Sequence, residues 1–179
     1  MDIYKQKFTK LQSEIFRLLC VKVGSRLTQR KIAQILGASP TAVGNSLALL
    51  KKENLIKISE ESNLHLVELN RDNEKSIGLK RVENLKMIYE SGLSSFLEKA
   101  HPGCTVLLFG SYSQGNDTVK SDIDIAVIGS RDKNLEMSKF NTLLGRTINI
   151  NYYKELGSID VYLKANLLSG IILAGAIEL

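Results

Sequence analysis

Two aspartates, Asp122 and Asp124, lie on either side of one apolar residue at the start of the run Ile123–Ile128. The apolar, β-branched composition of this run predicts a strand. Side chains alternate between the faces of a strand, so both carboxylates point to the same side. Neighbouring carboxylates repel unless a positive charge lies between them, and such oxygen ligands suit Mg²⁺ or Mn²⁺. The pair therefore predicts a divalent-cation site.

A phosphate-binding turn is predicted just before this pair in the chain. Thr105–Phe109 has the pattern of a strand, Gly110 and Ser111 follow it directly, and Gly115 comes a few residues later. Backbone N–H groups at such a turn, or at the start of a helix, bind phosphate oxygens. Cation ligands beside a phosphate turn indicate nucleotide chemistry. The alternative interpretation is structural, with Asp122 as a helix cap or strand-end cap and the pair on a solvent-exposed face.

The elements that must position these residues are predicted from hydrophobic spacing. In residues 101–179, strands alternating with helices predict an α/β sheet covered on one face. The further elements are a helix at Lys133–Leu144, a strand at Thr147–Tyr152, a helix at Ser158–Leu168 and a strand at Ile171–Leu173. Residues 71–100 are predicted to form a linking helix that ends near Lys99 and bends or breaks at Gly92.

The first seventy residues have the pattern of a compact helical unit closed by a hairpin. Thr28 and Ser39 are predicted N-caps, and Gly37 ends the second helix. The predicted elements are helices at Phe8–Val23, Thr28–Gly37 and Pro40–Glu53, and strands at Leu55–Ser59 and Leu64–Leu69 joined by the polar turn Glu60–Asn63. The inward side chains predicted for the second and third helices are Ile32, Ile35, Leu36, Val43, Leu47 and Leu50.

The composition of the 179 residues is that of an ordinary globular protein, with a net charge of +5. Residues 1–70 contain 11 Lys and Arg against 6 Asp and Glu, which predicts a polyanionic partner for this part of the chain. No apolar stretch reaches the roughly eighteen residues of a membrane span, and the N-terminus has no apolar signal core. Cys20 and Cys104 lie in apolar runs and are predicted to be reduced thiols. These features predict a cytoplasmic protein.

The stretch LTQRKIAQILGASPTAVGNSLALLKKENLIK resembles the winged helix-turn-helix family, and the resemblance covers about residues 8–70. It implies that the helix at 40–52 enters the major groove of double-stranded DNA, with Lys51 and Lys52 on phosphates. The residues that it places nearest the base edges are Thr41, Gly44, Asn45 and Ala48. Because winged-helix proteins read paired half-sites as dimers, it also favours a homodimer. A helical module used only for dimerisation is the alternative.

The stretch GSYSQGNDTVKSDIDIAV, residues 110–127, resembles the nucleotidyltransferase superfamily in its small DNA polymerase beta-like branch. The spacing G-S-x-x-x-G, five residues, then S-D-x-D is matched throughout. The resemblance implies that Asp122 and Asp124 are catalytic residues that bind Mg²⁺ or Mn²⁺. The residues implied to bind a nucleoside triphosphate are Gly110, Ser111, Gly115 and Ser121.

Both resemblances together predict an α+β fold in three parts. Residues 1–70 are expected to form a winged helix-turn-helix DNA-binding domain, and residues 71–100 a linking helix. Residues 101–179 are expected to form a small α/β nucleotidyltransferase-fold sheet with helices.

Two departures from the superfamily pattern lie near the aspartate pair. Active members carry a third carboxylate on a neighbouring strand, where this chain has Asn149 and Asn151. Relatives often have an arginine at the position of Gln114. Asparagine is neutral and therefore a poorer ligand for a hard cation. The acids considered as substitutes are Asp117, Glu155 and Asp160.

Two functional hypotheses follow. In the first, a DNA-binding protein binds NTP and Mg²⁺ and transfers a nucleotidyl group to an acceptor. In the second, the protein is a transcriptional regulator whose catalytically degenerate nucleotidyltransferase domain serves nucleotide sensing or dimerisation.

Overall fold

The computed structural model describes residues 7–61 and 64–177. The chain divides into two compact units, Met1–Lys80 and Arg81–Leu179, and the division falls inside the predicted linking segment. The first unit contains α1 (Lys10–Val21), β1 (Leu27–Thr28), α2 (Gln29–Leu36), α3 (Pro40–Lys52), β2 (Ile56–Glu61) and β3 (Leu64–Leu69).

The ends of α2 and α3 are set by the residues that the sequence predicts. The Thr28 hydroxyl accepts a hydrogen bond from the Lys31 N–H at 3.2 Å, and the Ser39 hydroxyl accepts one from the Ala42 N–H at 3.2 Å. Gly37 ends α2 with φ of +63°, a backbone conformation that favours glycine. Both predicted caps and the predicted stop are confirmed.

The core of this unit is built by the inward faces of its three helices and by the hairpin. Among the predicted inward residues, Ile35 is wrong because it is 44% exposed, whereas Ala33 is buried. On a helix wheel the buried arc runs from Ile32 through Leu36 to Ala33, and Ile35 falls outside it. Four of the remaining predicted positions are buried in the core, Ile32, Val43, Leu47 and Leu50, and Leu36 is half-buried and packs against it.

The three strands of the first unit form an antiparallel sheet in the order β1-β3-β2. The two-residue β1 was not predicted, because so short a strand shows no alternation of side chains. The order of helices and strands is that of a winged helix-turn-helix. The predicted wing turn includes Ser62 and Asn63, which lie outside the described residues.

The predicted linking helix consists of two helices, α4 (Glu74–Glu90) and α5 (Leu93–Ala100). They are separated at Gly92, which has φ of +77°, so the predicted break is confirmed. Of the helices in the described parts of the chain, none has the length and apolar character needed to cross a membrane.

The second unit is organised around a four-stranded sheet in the order β6-β5-β4-β7. Strand β5 is parallel to β6 and antiparallel to β4, and β4 is antiparallel to β7. The elements that follow α5 are β4 (Thr105–Phe109), α6 (Gly110–Gln114), β5 (Ile123–Ile128), α7 (Ser138–Leu144), β6 (Ile148–Tyr153), a 3-10 turn (Leu156–Ser158), α8 (Val161–Leu168) and β7 (Ile171–Ala174).

Apolar side chains cover both faces of this sheet, which corrects the expectation of one covered face. Ile123, Ile125 and Val127 pack on one face in a cluster that includes residues of α5 and α7. Ala126 packs on the other face with Leu167 of α8. Because side chains alternate along β5, the Asp122 and Asp124 side chains belong to this second face.

Helix α7 begins at Ser138, five residues later than predicted. The Glu136 carboxylate accepts hydrogen bonds from the backbone N–H and the hydroxyl of Ser138. These bonds lower the pKa of Glu136 below its usual value. The Glu136 carboxylate therefore satisfies one of the backbone donors that the first turn of a helix leaves without an intrahelical partner.

The buried side chain of His101 predicts a pH dependence of stability. His101 is 1% exposed, its Nδ1 lies 3.3 Å from the Ser130 hydroxyl, and burial together with the charge of Lys133 lowers its pKa. A histidine whose pKa is lower in the folded state takes up protons preferentially on unfolding, so stability decreases as the pH falls through the unfolded value of about 6.5. We expect the urea midpoint of unfolding to decrease between about pH 7 and pH 5.

His101→Gln should flatten this decrease, whereas His65→Gln, at the exposed histidine of β3, should preserve it. A His101→Gln variant with the wild-type pH dependence would contradict the assignment.

Candidate functional site

The aspartate pair lies where β5 begins, between its two neighbouring strands. Asp122 immediately precedes β5 and is exposed, and Asp124 is the second residue of the strand and half-buried. Asp124 is paired with Phe109, the last residue of β4, and on the other side with Asn149 of β6. The end of β4 and the starts of β5 and β6 therefore meet at one edge of the sheet.

Gly110, the first residue of the predicted phosphate turn, lies close to Asp124. Its φ is +71°, and a Cβ atom at this position would lie 2.7 Å from Oδ2 of Asp124. That distance is shorter than any ordinary contact, so a side chain at position 110 would displace the carboxylate. The structure thus places Gly110 and Asp124 together.

The other residues predicted to bind a nucleotide shape the backbone around this edge. Ser111 is half-buried in the short helix α6. Gly115 ends α6 with φ of +77°, and its N–H donates back to carbonyl groups of that helix. Ser121 lies next to Asp122, and its hydroxyl accepts a hydrogen bond from the Thr118 N–H at 2.9 Å.

Asn149 faces the aspartate pair from β6. Its side-chain amide donates to Oδ2 of Asp122 at 3.1 Å, while its backbone is paired with Asp124. Asn151, two residues along the same strand, places its amide 3.5 Å from the carbonyl oxygen of Ile125 instead. A neutral amide at position 149 therefore satisfies part of the hydrogen-bonding capacity of Asp122.

The acids considered as a third carboxylate lie elsewhere. Asp117 is buried and accepts a hydrogen bond from Asn84 at 2.7 Å. Asp160 caps α8 by accepting from the Tyr162 N–H at 2.9 Å. Glu155 lines a cavity of about 360 Å³ with Thr105 and Ile128, at the opposite ends of β4 and β5. Within residues 7–61 and 64–177, no group of three or more His, Cys, Asp or Glu side chains could hold a metal ion.

Gln114, at the position where relatives often have arginine, contacts the end of α8. Its amide donates to the carbonyl oxygen of Ser169 at 2.9 Å. This bond joins α6 to the segment that leads into β7.

Helix α3 exposes most of the residues predicted to contact DNA. Thr41, Asn45, Ala48, Lys51 and Lys52 are exposed along the helix. Lys51 and Lys52 lie in its last turn, where positive charge also favours the helix dipole.

Among the residues predicted to contact DNA, Gly44 differs because it is half-buried. A Cβ atom at this position would lie 2.8 Å from Nε2 of Gln29, which donates to the carbonyl oxygen of Pro40 at 2.7 Å. The glycine therefore allows the Gln29 side chain to cross between α2 and α3.

A concave surface beside α3 was not predicted from the sequence. It has a volume of about 450 Å³ and joins the starts of α2 and α3 to the wing, with Thr28, Gln29, Arg30, Pro40, Leu64 and His65 as its lining. Near it in the wing, Glu61 forms an ion pair with Arg26, which compensates one of the two acidic charges at the predicted wing tip. Contacts between residues far apart in sequence form this surface, and no local pattern signals it.

Comparisons with known proteins give separate results for the two units. Residues 91–172 match the family model described as polymerase beta, nucleotidyltransferase. No curated protein matches the chain.

Among solved structures, a variant of Lactococcus lactis ZitR is 30% identical, with 56% of this chain and 63% of that chain covered and a TM-score of 0.39. AdcR of Streptococcus pyogenes is 21% identical, with 54% and 70% covered and a TM-score of 0.43. A structure of ZitR in complex with DNA is 30% identical, with 53% and 62% covered and a TM-score of 0.39. The chain spans less than two thirds of the ZitR chains that it matches. Residues 91–172 are thus similar to polymerase beta-type nucleotidyltransferase domains, and the elements before α4 have the order of a winged helix-turn-helix.

Proposed function

We propose that this chain is a DNA-binding regulator whose nucleotidyltransferase domain binds a nucleoside triphosphate together with Mg²⁺ or Mn²⁺. The observation that carries the proposal is the hydrogen bond from the Asn149 amide to Asp122, beside Asp124. This edge of the sheet therefore has two carboxylates, Asp122 and Asp124. On β6, where active relatives carry a third carboxylate, this chain has the neutral amide of Asn149.

The residues at this edge fit a divalent cation with oxygen ligands. Asp122 and Asp124 project from the same side of β5, and Gly110 leaves space that a side chain would fill. These two carboxylates would hold the cation, which would supply positive charge to neutralise a triphosphate. The backbone of Gly110 and Ser111 is the proposed contact for the phosphate oxygens, with Gly115 and Ser121 fixing the turn around it.

Asn149 is the reason for proposing nucleotide sensing ahead of efficient transfer. Nucleotidyl transfer depends on positioning and on neutralising the charge that moves to the leaving group. The Asn149 amide contributes no negative charge, and it donates a hydrogen bond to the Asp122 carboxylate. Two carboxylates therefore hold a second cation less strongly than three would.

Nucleotidyl transfer to an acceptor is the second candidate function, and the close approach of Gly110 to Asp124 favours it. To separate the two functions, labelled NTPs would be incubated with Mg²⁺ or Mn²⁺ and with protein or nucleic-acid acceptors. We expect saturable NTP binding that Asp122→Asn abolishes, with little pyrophosphate released by the wild-type protein.

Pyrophosphate release by the wild type that Asp122→Asn abolishes would favour transfer over sensing. Absence of both NTP and cation binding would contradict the proposed site.

The proposed DNA contacts rest on the exposed face of α3. Small and polar side chains, Thr41, Asn45 and Ala48, are followed along this face by Lys51 and Lys52. Small groups allow a helix to approach base edges, and lysines bind phosphates without reading sequence. Gly44 would support this face indirectly, by allowing α2 to pack closely. A homodimer that places two such helices on paired half-sites is part of the proposal.

A further inference from the structure

A buried ion pair holds the connection between α6 and β5, residues 115–121. The side chain of Asp117 is 1% exposed and that of Arg146 is 6% exposed, with Nη2 of Arg146 3.5 Å from Oδ2 of Asp117. The Asn84 amide donates to Oδ1 of Asp117 at 2.7 Å. Asp117 is therefore contacted by one side chain from α4 and one from the segment before β6.

The two side chains that contact Asp117 also bind backbone carbonyl groups around the candidate site. The Asn84 amide donates to the carbonyl oxygen of Tyr112, in α6, at 2.9 Å. The Arg146 guanidinium donates to the carbonyl oxygen of Val119 at 2.8 Å. The cluster of Asn84, Asp117 and Arg146 thus joins α6, the connection that precedes Asp122, and the segment that leads into β6.

The position of Arg146 relates this cluster to Asn149. Arg146 lies three residues before Asn149, and the carbonyl oxygen of its neighbour Thr147 accepts from the Ile123 N–H at 2.8 Å. Contacts from this segment therefore reach the chain on both sides of Asp122, at Val119 and at Ile123. They hold Asp122 opposite Asn149.

We propose that the Asp117–Arg146 pair positions Asp122 against Asn149 and so determines the affinity of the aspartate pair for a divalent cation. The proposal rests on the proposed function of this site. A guanidinium suits the task because its planar fork can bind a carboxylate and a carbonyl group at the same time. Groups that orient metal ligands without touching the metal commonly change metal affinity about 10- to 100-fold when they are removed.

The test uses the full chain and the variant Asp117→Asn, which keeps an acceptor for Asn84 but removes the charge beside Arg146. Two quantities are measured at a temperature where the variant is folded. The first is the NMR shift of the Asn149 side-chain amide without cation, assigned with Asn149→Asp. The second is the dissociation constant for Mn²⁺, measured by electron paramagnetic resonance. We expect the amide shift to move and Mn²⁺ to bind about 10- to 100-fold more weakly.

Phe140→Leu is the control for a general loss of stability, because Phe140 packs on the face of the sheet opposite to the one that carries the aspartate pair. It should lower the melting temperature while leaving the amide shift and the Mn²⁺ affinity unchanged. Equal effects of Phe140→Leu and Asp117→Asn would overturn the positioning role, as would an Asp117→Asn variant with both quantities unchanged.

Arg146→Lys provides a second test if Asp117→Asn does not fold. Lysine keeps the positive charge but lacks the fork that reaches Val119, so the same amide shift should move. An unmoved shift in folded Arg146→Lys would overturn the proposal. If wild-type protein binds no Mn²⁺, the proposed function fails, and the amide shift still decides whether the pair positions Asp122.

Discussion

Asn149→Asp should raise the affinity for Mn²⁺ about tenfold or more, because an added carboxylate increases the charge that faces the cation. Without cation, the same change should destabilise the protein. It replaces an exposed hydrogen bond between Asn149 and Asp122 by repulsion between two carboxylates. The melting temperature should therefore fall without Mn²⁺ and recover as Mn²⁺ is added. Calorimetric titration and thermal melts measure both effects.

Asn151→Asp is the matched control for this prediction. It adds the same charge on the same strand and face, but the Asn151 amide lies near the carbonyl oxygen of Ile125 and not near Asp122. A similar gain of Mn²⁺ affinity in both variants would show that net charge alone is responsible. A loss of Mn²⁺ affinity in Asn149→Asp would contradict the geometry of the site.

The double variant Lys51→Ala, Lys52→Ala should weaken binding to every DNA sequence by a similar factor. Loss of two phosphate contacts should reduce the slope of log affinity against log salt by about 1.8, and lower the affinity roughly 10- to 100-fold near 0.1 M salt. Fluorescence anisotropy with duplexes of different sequence, at several salt concentrations, measures both quantities.

The matched control is the double variant Lys99→Ala, Lys139→Ala, which removes the same amount of charge from exposed positions of the second unit. It should leave the DNA affinity within about twofold of wild type, since those lysines lie on other helices. An unchanged affinity in the Lys51, Lys52 variant would exclude α3 as the helix that lies against DNA.

The strands that carry the candidate site could be predicted closely from the sequence. Thr105–Phe109 and Ile123–Ile128 have the predicted bounds, because both are rich in apolar residues and each is followed directly by a glycine. The superfamily pattern also predicts that Asn149 lies close to the aspartate pair. The parallel pairing of β5 and β6 supplies its physical basis.

Features that depend on distant contacts could not be predicted in this way. By sequence Asp117 is a candidate cation ligand, but its side chain is buried beside Arg146 and Asn84. These residues belong to three separate segments, and nothing in their local sequence signals the contact. The start of α7 differs from the prediction because hydrophobic spacing alone does not show that Ser138, which donates its N–H to the Glu136 carboxylate, begins the helix.

A titration of Mn²⁺ with the full chain, in the presence and absence of ATP, tests the central claim most directly. The wild-type protein should bind Mn²⁺ in a saturable manner and more tightly with ATP. The double variant Asp122→Asn, Asp124→Asn should lose this binding, while Asn151→Asp should retain it. Failure of the wild type to bind Mn²⁺ with ATP, or undiminished binding by the double variant, would contradict the account.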